Sequence, residues 1–266
     1  MWGVSFGSAI RSLENLPELF DHDISFIELP ARERAFLDPI YSVVTARGML
    51  ASLHLPSPEL AQANKYIYDT KTSVEVVKYL ELLEPFFAFP YQLEYIVVHY
   101  PLITKTVDIG TASLLNSQFL HGLSRLSACY GRKLFLENIA GHPVFCTAEH
   151  IQQALLRTDG YCFDLGHAHT ACVVYPQVSR DQVWENFNRN GKAMRAIHLY
   201  NTTNLLGGKY QYNVHYPLIK SFSSYPGFMS YETIIKKIKE LPSLSYVIFE
   251  PQREAYLSAK SFGDFF

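Results

Sequence analysis

Residues 161–170, YCFDLGHAHT, decide how the rest of the chain is read. Tyr161 to Phe163 form a short apolar strand behind Gly160. At Asp164 the apolar run stops, and two imidazoles, His167 and His169, follow at once. Hydrocarbon giving way abruptly to ligand chemistry suits a barrel strand that ends in an active-site loop. Taken alone, the stretch reads equally as a strand exit with an N-capping Asp and surface histidines. The same event recurs, however. SLHLPSP brings His54, YIVVHYP brings His99, LFLENIAG brings Glu137, AIHLYN brings His198 and YVIFEP brings Glu250. Six apolar runs thus deliver a metal-capable side chain at the same end.

The runs repeat along the whole chain. Strands are expected at 2–6, 25–29, 49–55, 95–98, 133–136, 161–164, 196–199 and 246–249. Helical spacing of apolar residues lies between them, at 13–20, 31–44, 73–84, 113–128, 148–157, 180–189 and 231–240. The second strand, SFIEL, ends with Glu28 and a Pro30 that stops pairing. Ser179 with Gln182 has capping-box spacing, and Thr147 and Ser230 are further caps. Residues 201–229 lack periodicity and read as a long loop, a feature that is often functional. A short helix closes the chain. Strands alternating with helices imply a parallel sheet with right-handed crossovers. Eight repeats in 266 residues imply closure into a (β/α)8 TIM barrel, an α/β fold filling residues 1–266 as a single domain. A doubly wound open sheet ranks second, because no Gly-rich phosphate loop follows the first strand.

Composition narrows the function classes. A content of 48% hydrophobic and 14% aromatic residues is ample for a large core. A net charge of −2 with 18% charged residues provides no global field for nucleic acid or anionic membrane. No run of apolar residues reaches the length of a membrane span, and the amino terminus lacks a signal peptide pattern. The expectation is a cytoplasmic protein with its four cysteines, Cys129, Cys146, Cys162 and Cys172, reduced and buried.

In a barrel, carboxyl-terminal strand ends meet at one mouth. His54, His99, Glu137, Asp164, His167, His198, His215 and Glu250 therefore form a candidate metal constellation. Imidazole with carboxylate suits zinc, or alternatively manganese. Clustered carboxylates repel one another without a cation, which is a physical reason to expect one.

The motifs SLHLP, VVHYP, LENIAG, FDLGHAH, AIHLYN, Asn213-Val214-His215 and IFEP resemble the xylose isomerase-like barrel superfamily, in its endonuclease IV-like branch (AP endonuclease family 2). The resemblance spans nearly the whole chain, and LENIAG with Asp164-x-x-His167 is its most specific part. It implies a first metal at His54, His99 and Glu137. Glu137 would bridge to a second metal, held also by Asp164, His198 and Glu250. His167 and His215 would hold a third, at which an Asp is expected where this chain has Asn213. That position should be weaker or empty, leaving two ions. Glu137, Glu250 and His167 are the implied catalytic groups, with Asn201, Asn213 and His169 as candidate substrate contacts. The implied activity is hydrolysis of a phosphoester, or of a small phosphorylated or sugar-like substrate. Duplex DNA is a possible but disfavoured partner, given the mild acidity and the absence of an Arg-rich loop. The alternative is a sugar isomerase or epimerase, which needs one ion at Glu137, Asp164, His198 and Glu250.

Overall fold

The structure, a computed structural model, describes residues 1–5, 24–56, 60, 69–103, 106–139, 148–175, 178–199, 224–225 and 229–250. Eight parallel strands close into a barrel. In chain order these are β1 (Trp2–Ser5), β2 (Phe26–Pro30), β3 (Leu50–Leu55), β4 (Ile96–His99), β5 (Leu134–Glu137), β6 (Gly160–Asp164), β7 (Met194–Leu199) and β10 (Tyr246–Phe249). Each pairs with its sequence neighbour in the barrel, and β1 closes the ring against β10. Two short strands, β8 (Ser224–Tyr225) and β9 (Met229–Ser230), pair antiparallel apart from it.

Seven α-helices lie among the described residues: α1 (Arg34–Ala46), α2 (Ser73–Phe87), α3 (Ile109–Tyr130), α4 (Ala148–Leu155), α5 (Leu165–Val174), α6 (Arg180–Asn190) and α7 (Tyr231–Lys239). Their starts follow local chemistry. Thr72 and Glu75 form a capping box on α2, with the Glu75 carboxylate accepting from the Thr72 N–H at 2.8 Å. Ser179 and Gln182 do the same on α6, as their spacing predicts. Asp108 caps α3, which ends at Gly131 with φ of 63°, a left-handed position that suits glycine. The helix expected at 13–20, the Thr147 cap and the closing helix lie outside the described residues.

Two expectations need correction. A helix, not a loop, follows β6 directly: the Asp164 carboxylate accepts from the His167 N–H at 2.5 Å and starts α5. Gly166 and the paired histidines disguise this helix, whereas Ala168, Ala171 and the cap favour it. Nor does Pro30 stop the pairing of β2, since it sits opposite His54 and the next N–H, that of Ala31, donates to the His54 carbonyl at 3.0 Å. Proline at the last strand position loses only a donor.

Each strand alternates between two cores. Outward residues such as Ile27, Leu53, Ile96, Val98, Leu136, Phe163 and Ile197 are buried under the helices. Inward residues Phe26, Tyr95, Val97, Phe135, Cys162, Ala196 and Ile248 fill the barrel. Because both faces are covered, the strands read as continuous apolar runs. Tyr95 stacks between Phe135, 4.3 Å away, and Phe26, 5.6 Å away, and Tyr246 leans on Phe26 at 4.8 Å. Gly3 keeps this floor close-packed, since a Cβ there would lie 2.8 Å from both the Phe26 ring and its carbonyl oxygen. Above the floor, the next inward residues are polar.

Candidate metal centre

Seven of the eight barrel strands carry a ligand-type side chain in or just beyond their carboxyl-terminal halves: Glu28 at the middle of β2, His54 and His198 one residue before the ends of β3 and β7, and His99, Glu137, Asp164 and Glu250 at or just past the ends of theirs. They are the inward continuation of the pattern Phe26-x-Glu28, Ser52-x-His54, Val97-x-His99, Phe135-x-Glu137, Cys162-x-Asp164, Ala196-x-His198 and Ile248-x-Glu250. Strand register sets His99 opposite Glu137 and Asp164 opposite His198. His167 joins from the first turn of α5.

The distances are short. His54 Nε2 and His99 Nε2 lie 2.9 Å apart, and each is 3.1 Å from a different Glu137 oxygen. His167 Nε2 lies 3.7 Å from both Glu137 and Asp164. His198 Nδ1 is 3.2 Å from Glu137 and 3.4 Å from Glu250, while its Nε2 is 3.1 Å from Glu28. The donor atoms fall into four overlapping groups, each with all atoms within 4.8 Å: His54, His99 and Glu137; Glu137, Asp164 and His167; Glu137, Cys162 and His198; and Glu28, His54, His198 and Glu250. The carboxylates are buried, whereas the His54, His99 and His167 side chains keep 16%, 21% and 11% of their surface. Those three histidines therefore face the opening.

Local structure holds the ligands. Asn138, from LENIAG, clamps the Asp164 backbone at both ends. Its amide donates to the Asp164 carbonyl at 2.8 Å and its oxygen accepts from the Asp164 N–H at 2.8 Å. Tyr79 of α2 donates to the His99 carbonyl at 3.1 Å. Asp164 is thus both a helix cap and a member of the cluster, and the two readings of its stretch hold together.

Electrostatics sort the groups. Burial opposes charge on His54, but the Glu137 and Glu28 carboxylates outweigh it and raise its pKa to about 9. Burial lowers His99 and His167 to about 4. Burial also pushes Glu250 up to about 8, whereas Glu137 overcomes its own burial because His198, His99 and His54 hold it well below the usual carboxylate range. Two imidazole nitrogens at 2.9 Å share one proton in the cation-free site, and the raised pKa of His54 favours its residence there. Both Glu137 oxygens, Glu28 Oε1 and His198 Nδ1 are buried without a hydrogen bond of good geometry. Nitrogens and oxygens converging in this way fit a borderline divalent cation such as zinc.

Of the residues singled out in the sequence, His54, His99, Glu137, Asp164, His167, His198 and Glu250 come together. His215, Asn201 and Asn213 lie outside the described residues, as does the side chain of His169, whose backbone is in α5. His54, His99 and Glu137 form one donor group, Asp164 joins Glu137 and His167 in a second, and His198 belongs both to a group with Glu137 and to one with Glu28, His54 and Glu250. Glu28 was missed as a site residue, although a carboxylate at an inward position of FIELP was the available signal. Cys162, buried and with its thiol pKa raised by that burial, lies beneath His198. Cys129 is exposed rather than buried, and Cys129, Cys162 and Cys172 form no disulfide.

Fold and site together define a (β/α)8 barrel with a candidate metal centre at the carboxyl-terminal ends of its strands. No family model matches the sequence, and no curated protein matches it significantly. Solved structures do match over nearly the whole length of both chains. A D-tagatose 3-epimerase-like protein has a TM-score of 0.67 at 18% identity, covering 99% of this chain and 94% of its own. An AP endonuclease of family 2 from Brucella melitensis has a TM-score of 0.62 at 10% identity, covering 99% and 97%. The IOLI protein with a bound zinc atom has a TM-score of 0.60 at 16% identity, covering 98% and 94%. At such identities the barrel is what is shared. No helix among the described residues is long and apolar enough to cross a membrane.

Proposed function

We propose that the protein is a divalent-metal-dependent hydrolase acting on a phosphoester, or on a small phosphorylated or sugar-like substrate. The observation that carries this reading is the position of Glu137, which belongs to three of the four donor groups and offers one oxygen each to His54 and His99. A carboxylate shared in that way suits a bridge between two cations, and a single-ion isomerase has no need of His54 and His99 as ligands. Bound ions supply Lewis acidity and an activated water. The remaining roles belong to the chain. Glu250, protonated near neutral pH in the cation-free site, is the candidate acid. His167 faces the opening as a neutral imidazole able to accept a hydrogen bond from substrate. The bound zinc of the IOLI protein and the fold shared with an AP endonuclease support the reading. The net charge of −2 makes duplex DNA the less favoured phosphoester.

A second reading, sugar isomerase or epimerase, is favoured by the likeness to a D-tagatose 3-epimerase-like protein and by Glu137 and Glu250 flanking His54 at 3.1 and 3.7 Å. Two such carboxylates can move a proton beside a sugar carbonyl. The test is metal analysis with assays on a generic phosphodiester, an abasic-site duplex and a ketose panel, on the native protein and on His99→Ala. Phosphoester hydrolysis that disappears in His99→Ala together with part of the metal is the expected result. Ketose interconversion that persists in His99→Ala with one ion retained would overturn it in favour of the second reading.

A further inference from the structure

We infer that Glu28 is a positioning residue that sets opposite ring orientations on two ligand histidines, His54 and His198. The inference rests on the metal-centre reading above. Each of these imidazoles turns one nitrogen toward Glu137 and the other toward Glu28. For His54 it is Nε2 that lies 3.1 Å from Glu137 and Nδ1 that lies 3.4 Å from Glu28. For His198 the order is reversed, with Nδ1 at 3.2 Å from Glu137 and Nε2 at 3.1 Å from Glu28. The Glu28 carboxylate is fully buried, and the Ser52 hydroxyl donates to its Oε2 at 3.3 Å. Its strand partner in the register is that same Ser52.

The geometry follows from chemistry. A neutral imidazole carries one N–H, and the nitrogen that binds a cation must be the other one. A carboxylate behind a ligand histidine accepts the N–H, fixes the tautomer and makes the ligating nitrogen more basic. Glu28 Oε1 is the oxygen nearest both histidines and Oε2 lies 3.3 Å from His198 Nε2, so N–H groups turned toward this carboxylate set Nδ1–H on His54 and Nε2–H on His198. Both lone pairs then point toward Glu137. Glu28 could alternatively be a ligand, as it lies within a donor group with His54, His198 and Glu250. Against that, it faces the nitrogens turned away from Glu137, and Ser52 ties one of its oxygens. An amide at this position would offer one acceptor in place of two.

The test uses the full chain labelled with nitrogen-15 at histidine and loaded with zinc. Long-range proton–nitrogen correlations report which ring nitrogen bears the proton, and His54→Gln and His198→Gln assign the signals. The expected result is Nδ1–H on His54 and Nε2–H on His198 in the native protein. In Glu28→Gln, zinc affinity should fall about 10- to 100-fold and at least one of the two patterns should be lost, with Glu28→Asp restoring part of the affinity. The same tautomer on both histidines, or zinc affinity unchanged in Glu28→Gln, would overturn the inference. If Glu28→Gln does not fold, the native tautomers alone decide it. A native protein that takes up no zinc would instead sink the metal-centre reading itself, so the two failures are told apart.

Discussion

Glu137 is fully buried at the end of β5, with imidazole nitrogens 3.1–3.2 Å from its oxygens and no hydrogen bond of good geometry to either. A buried carboxylate in such a position is costly unless a positive charge offsets it. In the cation-free protein that charge is carried on His54 and His198, whose pKa values are raised by the surrounding acids once burial is overcome. A bound cation would take over that role. Glu137→Gln therefore removes charge shared by more than one donor group. The expected outcome is a fall from about two ions per chain, the number a bridging carboxylate implies, to one or none, measured by elemental analysis after gel filtration. An unchanged metal count would refute the bridging role. The same residue shows what was legible in the sequence. Glu137, His99 and His198 stand out because each ends an apolar run. Glu28 also follows one, but two further apolar positions, Leu29 and Pro30, hide it inside the strand. Only the inward phase of Phe26 and Glu28, set by register in the barrel, exposes it. The grouping of donors around Glu137 depends on side-chain directions rather than on order in the chain.

Elements transmit that placement. The strand periods, the Ser179–Gln182 box and the helix α2 are local signals, and sequence spacing suffices to find them. Helix α5 was not legible, because its start depends on Asp164 capping the His167 N–H, an arrangement that also reads as a loop with ligands. Long-range ties are equally invisible in a linear reading. Arg132, just before β5, is the clearest. Its guanidinium donates to the carbonyls of Phe87 at 3.1 Å and Tyr91 at 2.8 Å, and to that of Phe89. It thereby pins the segment after α2 to the root of the strand that ends in Glu137. Arg132→Ala leaves those carbonyls to find new donors, and a charged hydrogen bond contributes about 1.5–3 kcal/mol. Arg132 is only part-buried, so the expected destabilisation is about 2–3 kcal/mol, measured by urea unfolding. A change below about 0.5 kcal/mol, the level of an ordinary surface substitution, would show that the clamp contributes nothing.

At the scale of the whole molecule, the barrel divides into an apolar lower half and a polar mouth. Phe26, Tyr95, Phe135 and Ile248 fill the lower half, where Gly3 lets β1 approach Phe26 closely enough to complete the ring. The mouth gathers four buried carboxylates, Glu28, Glu137, Asp164 and Glu250, from strands well separated in the chain. Bringing them together favours folding only if a cation or imidazolium shares the space, so under the proposed metal centre ion binding is linked to folding. An ion that binds the folded chain and not the unfolded one stabilises by RT ln(1 + [L]/Kd), or about 2.7 kcal/mol at a hundredfold excess over Kd. For a chain of this size each kcal/mol moves Tm by about 2–4 °C. Removing metal with a chelator should therefore lower Tm by about 5–10 °C, and restoring zinc should return it, the shift growing with free zinc concentration. Glu137→Gln should blunt that dependence while leaving the Arg132→Ala effect additive, because the two positions act on opposite ends of β5. A melting temperature that responds to neither chelator nor zinc would mean that the carboxylates of the mouth are neutralised by protons alone, and the metal centre would then have to be abandoned.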